Sequence, residues 1–301
     1  MSIAVYSGAM TRALITGATS GLGLEFAWQL AGLEHDLVLV ARNAERLDAV
    51  AAQIESLHDV RVSTLAVDLS DRDGLDRAAR RLTDPVTPID LLVNNAGYGL
   101  HTEFLATDVE EHEIQLDLLV RAVLVLSHTA ANSMMQRGRG AIINVSSLAG
   151  YTAAGTYAAA KSWVTVFTEA LALELEGTGV TATALLPGFV ETEFHERAAI
   201  DVQGLPRVTW LKAPYVVEQA LKDSAKGEVL SIPSLKYRTA SEISRIMPRP
   251  LIRRLTGPGW SRRLNERKLR TARTGSALRR LRMPWWDAPE ADGGRGDKPR
   301  R

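Results

Sequence analysis

The sequence predicts an α/β fold: a doubly wound parallel sheet of about seven strands with helices on both faces, followed by a basic helical extension. Three observations point there. Short apolar runs alternate with amphipathic stretches of helical period along most of the chain. The first apolar run, Ala13-Leu14-Ile15, opens into the glycine-rich turn Thr16 to Gly23 and then a helical pattern. Charge is segregated: residues 238–301 carry 18 Lys/Arg against 6 Asp/Glu, whereas the remainder is net acidic, giving +1 overall.

Taken in order, the expected strands are Arg12–Ile15, Asp36–Ala41, Arg61–Val67, Ile89–Val93, Ala141–Val145, Val180–Leu185 and Glu228–Ile232. Each is a short, largely apolar run, as a strand buried on both faces requires. Helices are expected to begin near Gly21, Ala44, Asp71, Asp108, Thr156 and Ala213, where apolar residues recur at helical spacing. The chain of 301 residues, 46% apolar, is ample for one large core. We divide it into an N-terminal extension (1–10), with Met10 an alternative start, a nucleotide-binding catalytic domain (11–237) and a basic extension (238–301). The apolar stretch Leu116–Leu126 is too short to span a bilayer and contains Arg121. No cationic start followed by an apolar run marks a signal peptide. Cysteine is absent, which excludes disulfides and thiolate chemistry and suits a reducing, cytoplasmic setting.

The glycine turn carries the first chemistry. Strand, glycine-rich turn and helix N-terminus present free backbone N–H groups to a pyrophosphate. Gly17 would allow the tight turn, Gly21 the close approach of the ligand and Gly23 the packing of helix on strand, with Thr19, Ser20 and Leu22 completing the loop. A second motif is Tyr157-Ala158-Ala159-Ala160-Lys161, with Ser147 ten residues upstream. Positions four apart share a helix face, so phenol and ammonium project together. A cation there is expected to pull the phenol below its reference pKa of about 10, equipping it to move a proton on an alcohol oxygen.

With both motifs the chain resembles the short-chain dehydrogenase/reductase family, whose Rossmann-type domain would run from about Thr11 to about Ser231. The turn fits Thr-Gly-x-x-x-Gly-x-Gly. Asp68-Leu69-Ser70 falls where the family contacts adenine, Asn94-Asn95-Ala96-Gly97 follows the fourth strand, and Asn144-Val145-Ser146-Ser147 closes the fifth. Pro187-Gly188 and Thr192 lie beyond the sixth. The resemblance implies an NAD(P)-dependent oxidoreductase acting on CH–OH and C=O groups. Tyr157 would be the general acid/base, Ser147 the holder of the substrate oxygen, and Lys161 the ligand of the nicotinamide ribose. Asp68, Leu69, Asn95, Ala96, Gly97, Pro187, Gly188 and Thr192 would line the cofactor, Thr192 at the carboxamide. Ser146 is the rival for the serine role, and Tyr151 lacks a lysine four residues on.

The second strand ends in Ala41-Arg42-Asn43 without the carboxylate that favours NAD(H). Arg42 can instead pair with a 2′-phosphate, so NADP(H) is expected over NAD(H). Two departures stand out. Asp117 takes the place of the asparagine that completes the family's tetrad. Its charge would stabilise protonated Lys161, raise the phenol somewhat and shift the pH optimum. The span from Ser147 to Tyr157 is also two or three residues short, which would reshape the pocket. The segment Phe189–Pro214, with Phe194, His195, Leu205, Trp210 and Leu211, would form an apolar lid, hence an apolar substrate. His101 and His195 read as loop histidines, and no metal-ligand spacing occurs.

The long helices Asp108–Arg137 and Thr156–Glu176 would pair between subunits in a dimer or tetramer. For the extension, helical at Pro250–Leu255 and Leu264–Leu281 and interrupted by Gly257-Pro258-Gly259, the first reading is a cover for the acidic core or a neighbouring subunit. Contact with an anionic membrane surface, which Trp285 and Trp286 would join, is the second. Nucleic acid is not expected, since no recognition motif accompanies the charge. The rival to catalysis is a sensor or scaffold that binds NADP without turnover.

Overall fold

The computed structural model describes residues 12–100, 104–192 and 209–256. Residues 1–10, His101, Phe194, His195, Leu205 and the sequence features beyond Thr256 lie outside the described residues. Seven parallel strands form one sheet in the order β3-β2-β1-β4-β5-β6-β9. They are β1 (Arg12–Thr16), β2 (Asp36–Ala41), β3 (Val62–Ala66), β4 (Leu91–Asn94), β5 (Gly140–Val145), β6 (Val180–Leu185) and β9 (Leu230–Ser231). All seven expected strands are present, with ends displaced by at most two residues. The reversal of order between β1 and β4 opens a crevice at their C-terminal ends, the place where such sheets take ligands.

Alternation along the strands divides the core into two layers. Ala13, Ile15, Leu37, Leu39, Leu91, Val93 and Ile143 face one way and pack on α1 (Gly21–Gly32), α2 (Ala44–Leu57) and α7 (Ala213–Ala225), where Phe26, Leu30, Leu47, Ile54 and Val217 are buried. Leu14, Val38, Val40, Leu92, Ile142 and Ala182 face the other way. They meet α3 (Arg72–Leu82), α5 (Ala122–Arg137) and α6 (Gly155–Glu174) through Leu75, Leu82, Leu126, Met134 and Leu171. At about 1.5–3 kcal/mol for each large apolar side chain, these layers supply the main drive for folding. Asp36, at the start of β2, is buried and takes Arg12 at 2.7 Å and Arg61 at 2.9 Å. Those two pairs join the first three strands at the end remote from the crevice.

Helix α4 (Val109–Leu116) runs through a single π turn, Asp117–Arg121, into α5. Together they make a 29-residue helix, Val109–Arg137, long and apolar enough to cross a membrane. The stretch read as too short is thus the middle of a longer element. Its inner face, however, belongs to the core through Leu119, Ala122, Leu126 and Ala130. Two further strands, β7 (Val190–Glu191) and β8 (Leu211–Lys212), pair with each other beside the main sheet. After β9 come α8 (Leu235–Ile246) and α9 (Arg249–Thr256). Helix α8 crosses position 237, so the catalytic region and the start of the basic segment share one helix.

A polar network sits inside the second layer. Asn144 Oδ1 accepts from Asn94 Nδ2 at 2.9 Å and from the Ser127 hydroxyl at 3.3 Å, while Asn144 Nδ2 donates to Thr168 Oγ1 at 3.0 Å. All four residues are buried. Asn144→Ala should therefore cost about 2–4 kcal/mol in urea unfolding, because it strands donors that water does not reach. The exposed Gln53→Ala should stay within about 0.5 kcal/mol.

Candidate active site

The crevice is built from the glycine turn outward. Gly17 (φ +68°) and Gly21 (φ +54°) adopt left-handed backbone that side chains rarely tolerate. At Gly23 the constraint is space, since a Cβ would lie 2.2 Å from the Gly17 carbonyl oxygen and 2.4 Å from Asn95 Nδ2. Helix α1 starts immediately after Ser20, with no side-chain cap on its first turn and no acidic residue within it. An uncapped, uncharged helix start behind a turn stripped of side chains fits a pyrophosphate. Thr19, Ser20 and Leu22 are half-buried along this turn. Thr192 stands over it, its methyl 3.7 Å from the position a Gly21 Cβ would take.

Asn95, expected along the cofactor, bonds the glycine turn in this structure. Its amide donates to the carbonyls of Thr16 (3.0 Å) and Gly17 (3.4 Å), and its backbone N–H donates to Thr16 Oγ1 (2.9 Å). The same hydroxyl accepts from the Ala96 N–H at 3.0 Å and donates to the Val93 carbonyl at 3.3 Å. The Asn95 side chain thus holds the turn to the end of β4 from behind, and the backbone of Ala96 and Gly97 continues along the crevice. Gly97 passes so close to Leu119 that a Cβ would lie 2.7 Å from its side chain and 3.8 Å from Lys161 Nζ.

Ser147, Tyr157 and Lys161 are brought together as their motifs require. Ser147 leaves β5 and caps the short 3₁₀ turn Leu148–Tyr151, its Oγ accepting from the Ala149 N–H at 3.1 Å. That bond leaves the hydroxyl proton directed elsewhere, and it is shared with Tyr157, lowering the phenol's pKa. The shortened loop therefore does not part the two residues. Gly150 allows this closure, because a Cβ there would come within 2.8 Å of the Ser162 N–H on α6. Ser146 is excluded from the serine role: buried, it bonds the Lys161 carbonyl and Thr165 Oγ1, both at 2.7 Å. Tyr151 packs with Leu186 and Ile232 instead.

The electrostatics reverse the expected sign. Burial pushes the Tyr157 phenol up to about 12, against the smaller lowering by Ser147. The residue as a whole is half-buried, but its hydroxyl lies in the desolvated interior of the crevice. Lys161, fully enclosed, falls to about 8 for the same reason. Its Nζ donates to the Val145 carbonyl at 2.6 Å and lies 5.7 Å from the centre of the tyrosine ring. The ammonium is thus committed to a backbone oxygen, and desolvation outweighs its pull on the phenol.

Asp117 is likewise corrected. Its carboxylate pairs with Arg121 at 2.6 Å, one turn along the same helix, and both side chains are partly exposed. It contributes to neither the lysine shift nor the tyrosine shift. Helical spacing explains this: Gln115, Leu119, Ala122 and Leu126 form the buried stripe and Asp117, two residues after Gln115, falls off it, so the buried side chain beside Gly97 is Leu119. Arg121 also donates to the Ser70 carbonyl at 2.6 Å, tying this turn to the segment Asp68-Leu69-Ser70. There Leu69 is buried and Asp68 faces Arg42 across 3.9 Å, with the guanidinium 77% exposed beyond the end of β2. Burial alone would raise Asp68, but bonds from the Ser70 hydroxyl and N–H, together with Arg42, hold it below the usual carboxylate range.

On the opposite wall the Pro187 carbonyl accepts from the Leu148 N–H at 3.2 Å, and Gly188 lies under the ring of Tyr237. Tyr237 is the residue the sequence did not announce. From α8 its hydroxyl donates to the Thr209 carbonyl at 2.6 Å and accepts from the Phe189 N–H at 3.3 Å. It thereby fastens both ends of the wall, where Phe189 and Trp210 also touch at 5.7 Å between ring centres. A Cβ on Gly188 would fall 2.2 Å from the ring, and that exclusion is the only local trace of the contact.

The family model for short chain dehydrogenases matches residues 11–203. A sulfoacetaldehyde reductase of Chromohalobacter salexigens is 37% identical over 185 residues, which is 60% of this chain and 72% of the relative. A short-chain dehydrogenase from Sphingobium yanoikuyae, solved in complex with NADPH, is 33% identical with a TM-score of 0.71, covering 78% of this chain and 94% of that one. A Burkholderia phymatum relative in complex with NAD (22% identity, TM-score 0.69, 78% and 92% covered) shows the fold alone. With its family model spanning the sheet from β1 to β6 and the glycine cradle set beside Ser147, Tyr157 and Lys161, the chain belongs to the short-chain dehydrogenase family of NAD(P)-dependent oxidoreductases acting on CH–OH and C=O groups.

Proposed function

We propose that the protein is an NADP(H)-dependent oxidoreductase interconverting a carbonyl and a secondary alcohol on an apolar substrate, with Tyr157 as general acid/base. The observation that carries this reading is the contact of Ser147 with Tyr157 beside enclosed Lys161, at the edge of a turn that fits a dinucleotide. Gly17, Thr19, Ser20, Gly21, Leu22 and Gly23 would hold the pyrophosphate, with Asp68 and Leu69 at the adenine. Ala96, Gly97, Pro187, Gly188 and Thr192 would lie along the nicotinamide half, and a bound nicotinamide supplies the hydride. Tyr157, protonated at neutral pH by its raised pKa, donates a proton to the carbonyl oxygen in reduction. The Ser147 hydroxyl then turns from the phenol to that oxygen. Lys161, charged below about pH 8, would hold the ribose in place of the Val145 carbonyl and would stabilise the phenolate left behind. The apolar wall of Phe189, Trp210 and Leu211 favours an apolar carbonyl compound.

NADP(H) is favoured over NAD(H) because Arg42 is exposed beyond β2 with only a distant partner in Asp68, free to reach a 2′-phosphate. The NADPH bound by the Sphingobium relative agrees with that choice. We place the enzyme in the cytoplasm as a dimer or tetramer, paired through the outer faces of α5 and α6, where Leu124, Val166 and Leu173 are exposed. No role for nucleic acid is proposed.

Tyr157→Phe should keep NADPH binding, followed by cofactor fluorescence, while carbonyl reduction across a substrate panel falls about 10²–10⁴-fold. NADPH binding by the wild type without turnover of any carbonyl would instead favour a sensor or scaffold. Arg42→Ala should raise the NADPH dissociation constant about 10–100-fold and leave that of NADH nearly unchanged; equal losses for both would remove Arg42 from the choice of cofactor. Because Asp117 faces Arg121, Asp117→Asn should leave the pH–rate profile of reduction in place, declining as pH rises through about 8 where Lys161 loses its charge. A displaced profile would return Asp117 to the proton path.

A further inference from the structure

We propose that the outer surface of α8 and α9 is a docking face for an anionic lipid bilayer. Each helix has a committed inner side. In α8, Tyr237 and buried Ser241 point inward; in α9, Ile252 is buried and Thr256 Oγ1 accepts from the Ala153 N–H at 3.0 Å. The opposite side of α8 carries large aliphatic residues, with exposed Thr239 and Glu242 beside them. Leu235 (77% exposed), Ile243 (55%) and Ile246 (83%) fall within one third of the helix circumference. Leu251 and Leu255 lie together along one flank of α9, 43% and 44% exposed. A short helix that buries one side in the protein and shows aliphatic residues on the other has two apolar faces, and water satisfies only polar ones.

Charge decides the occupant. Lys236, Arg238, Arg245, Arg249, Arg253 and Arg254 are exposed around these aliphatic residues, and the acidic residue among them is Glu242, 3.6 Å from Arg245. A two-fold contact with a second copy would set one row of guanidinium groups against another, which opposes association. Nucleic acid would satisfy the cations but leave five exposed aliphatic side chains in water. Lipid satisfies both: aliphatic tips enter the interface while arginines reach anionic headgroups. The sequence beyond Thr256 continues basic and leucine-bearing, adding charge of the same sign. The inference locates the contact on folded helices and is independent of the reaction assigned above.

The test is flotation of the full chain with phosphatidylcholine vesicles, with and without phosphatidylglycerol, beside the exposed double variant Ile243→Ser/Ile246→Ser. The wild type should float with the anionic vesicles and remain behind with the neutral ones. The double variant should partition about tenfold less or weaker. NADPH fluorescence titration and thermal unfolding of both proteins, unchanged between them, would show that the fold and nucleotide site are intact. Absence of flotation by the wild type, equal flotation by the variant, or a lower oligomeric mass of the variant without vesicles would each overturn the proposal. The last outcome would assign the face to a second copy.

Discussion

The hydroxyl of Thr16 takes two backbone N–H groups from the segment after β4 and gives its proton to the Val93 carbonyl, while the Asn95 amide returns two bonds to the glycine turn. These five contacts close the switch point of the sheet. A parallel sheet by itself leaves β1 and β4 free to splay at their C-terminal ends, since their backbone pairing covers only Ala13 to Ile15. The side-chain join carries the contact two residues further. It holds the glycine turn to the segment that carries Gly97, beside Leu119 and Lys161. The close fit of Gly23 against Asn95 is the same constraint seen from the helix side.

Much of this was legible in the chain because its signals are local. Strands buried on both faces read as apolar runs, and the glycine turn reads as a spacing. The Tyr157–Lys161 pair depends on one helix and so follows from periodicity. What was not legible depends on elements distant in sequence or on burial. Tyr237 touches Gly188, Phe189 and Thr209, and no motif links those positions. The pairing of β7 with β8 rests on two residues from each, too few for a pattern. The acidity of Tyr157 follows from desolvation, which residue spacing does not report, and that is why the expected effect of Lys161 has the wrong sign. Asp117 was misplaced for a third reason. Its place in the family's tetrad sets it inward, whereas the buried stripe of Gln115, Leu119, Ala122 and Leu126 leaves it on the outer side of the helix.

The active site thus combines two opposed demands. Enclosure raises the phenol and lowers the lysine, so the phenol stays neutral and the lysine holds its charge only below about pH 8. Within the crevice the Val145 carbonyl takes the bond of the lysine and Ser147 that of the phenol. Both groups are thus positioned by hydrogen bonds made within the protein itself.

The π turn at Asp117–Arg121 has a consequence for how this chain tolerates changes of length. A π turn holds one residue more than the α turn it replaces, and helix resumes at Ala122 with its N–H on the Asp117 carbonyl. Deleting a residue inside the turn would restore an ordinary circuit while Leu126, Ser127 and Met134 kept their places against the sheet. A deletion later in α5 would rotate that buried stripe by about 100° and expose it. Tolerated indels along a 29-residue helix are thereby expected in a single permissive turn, which is also the turn that carries Leu119 beside Gly97.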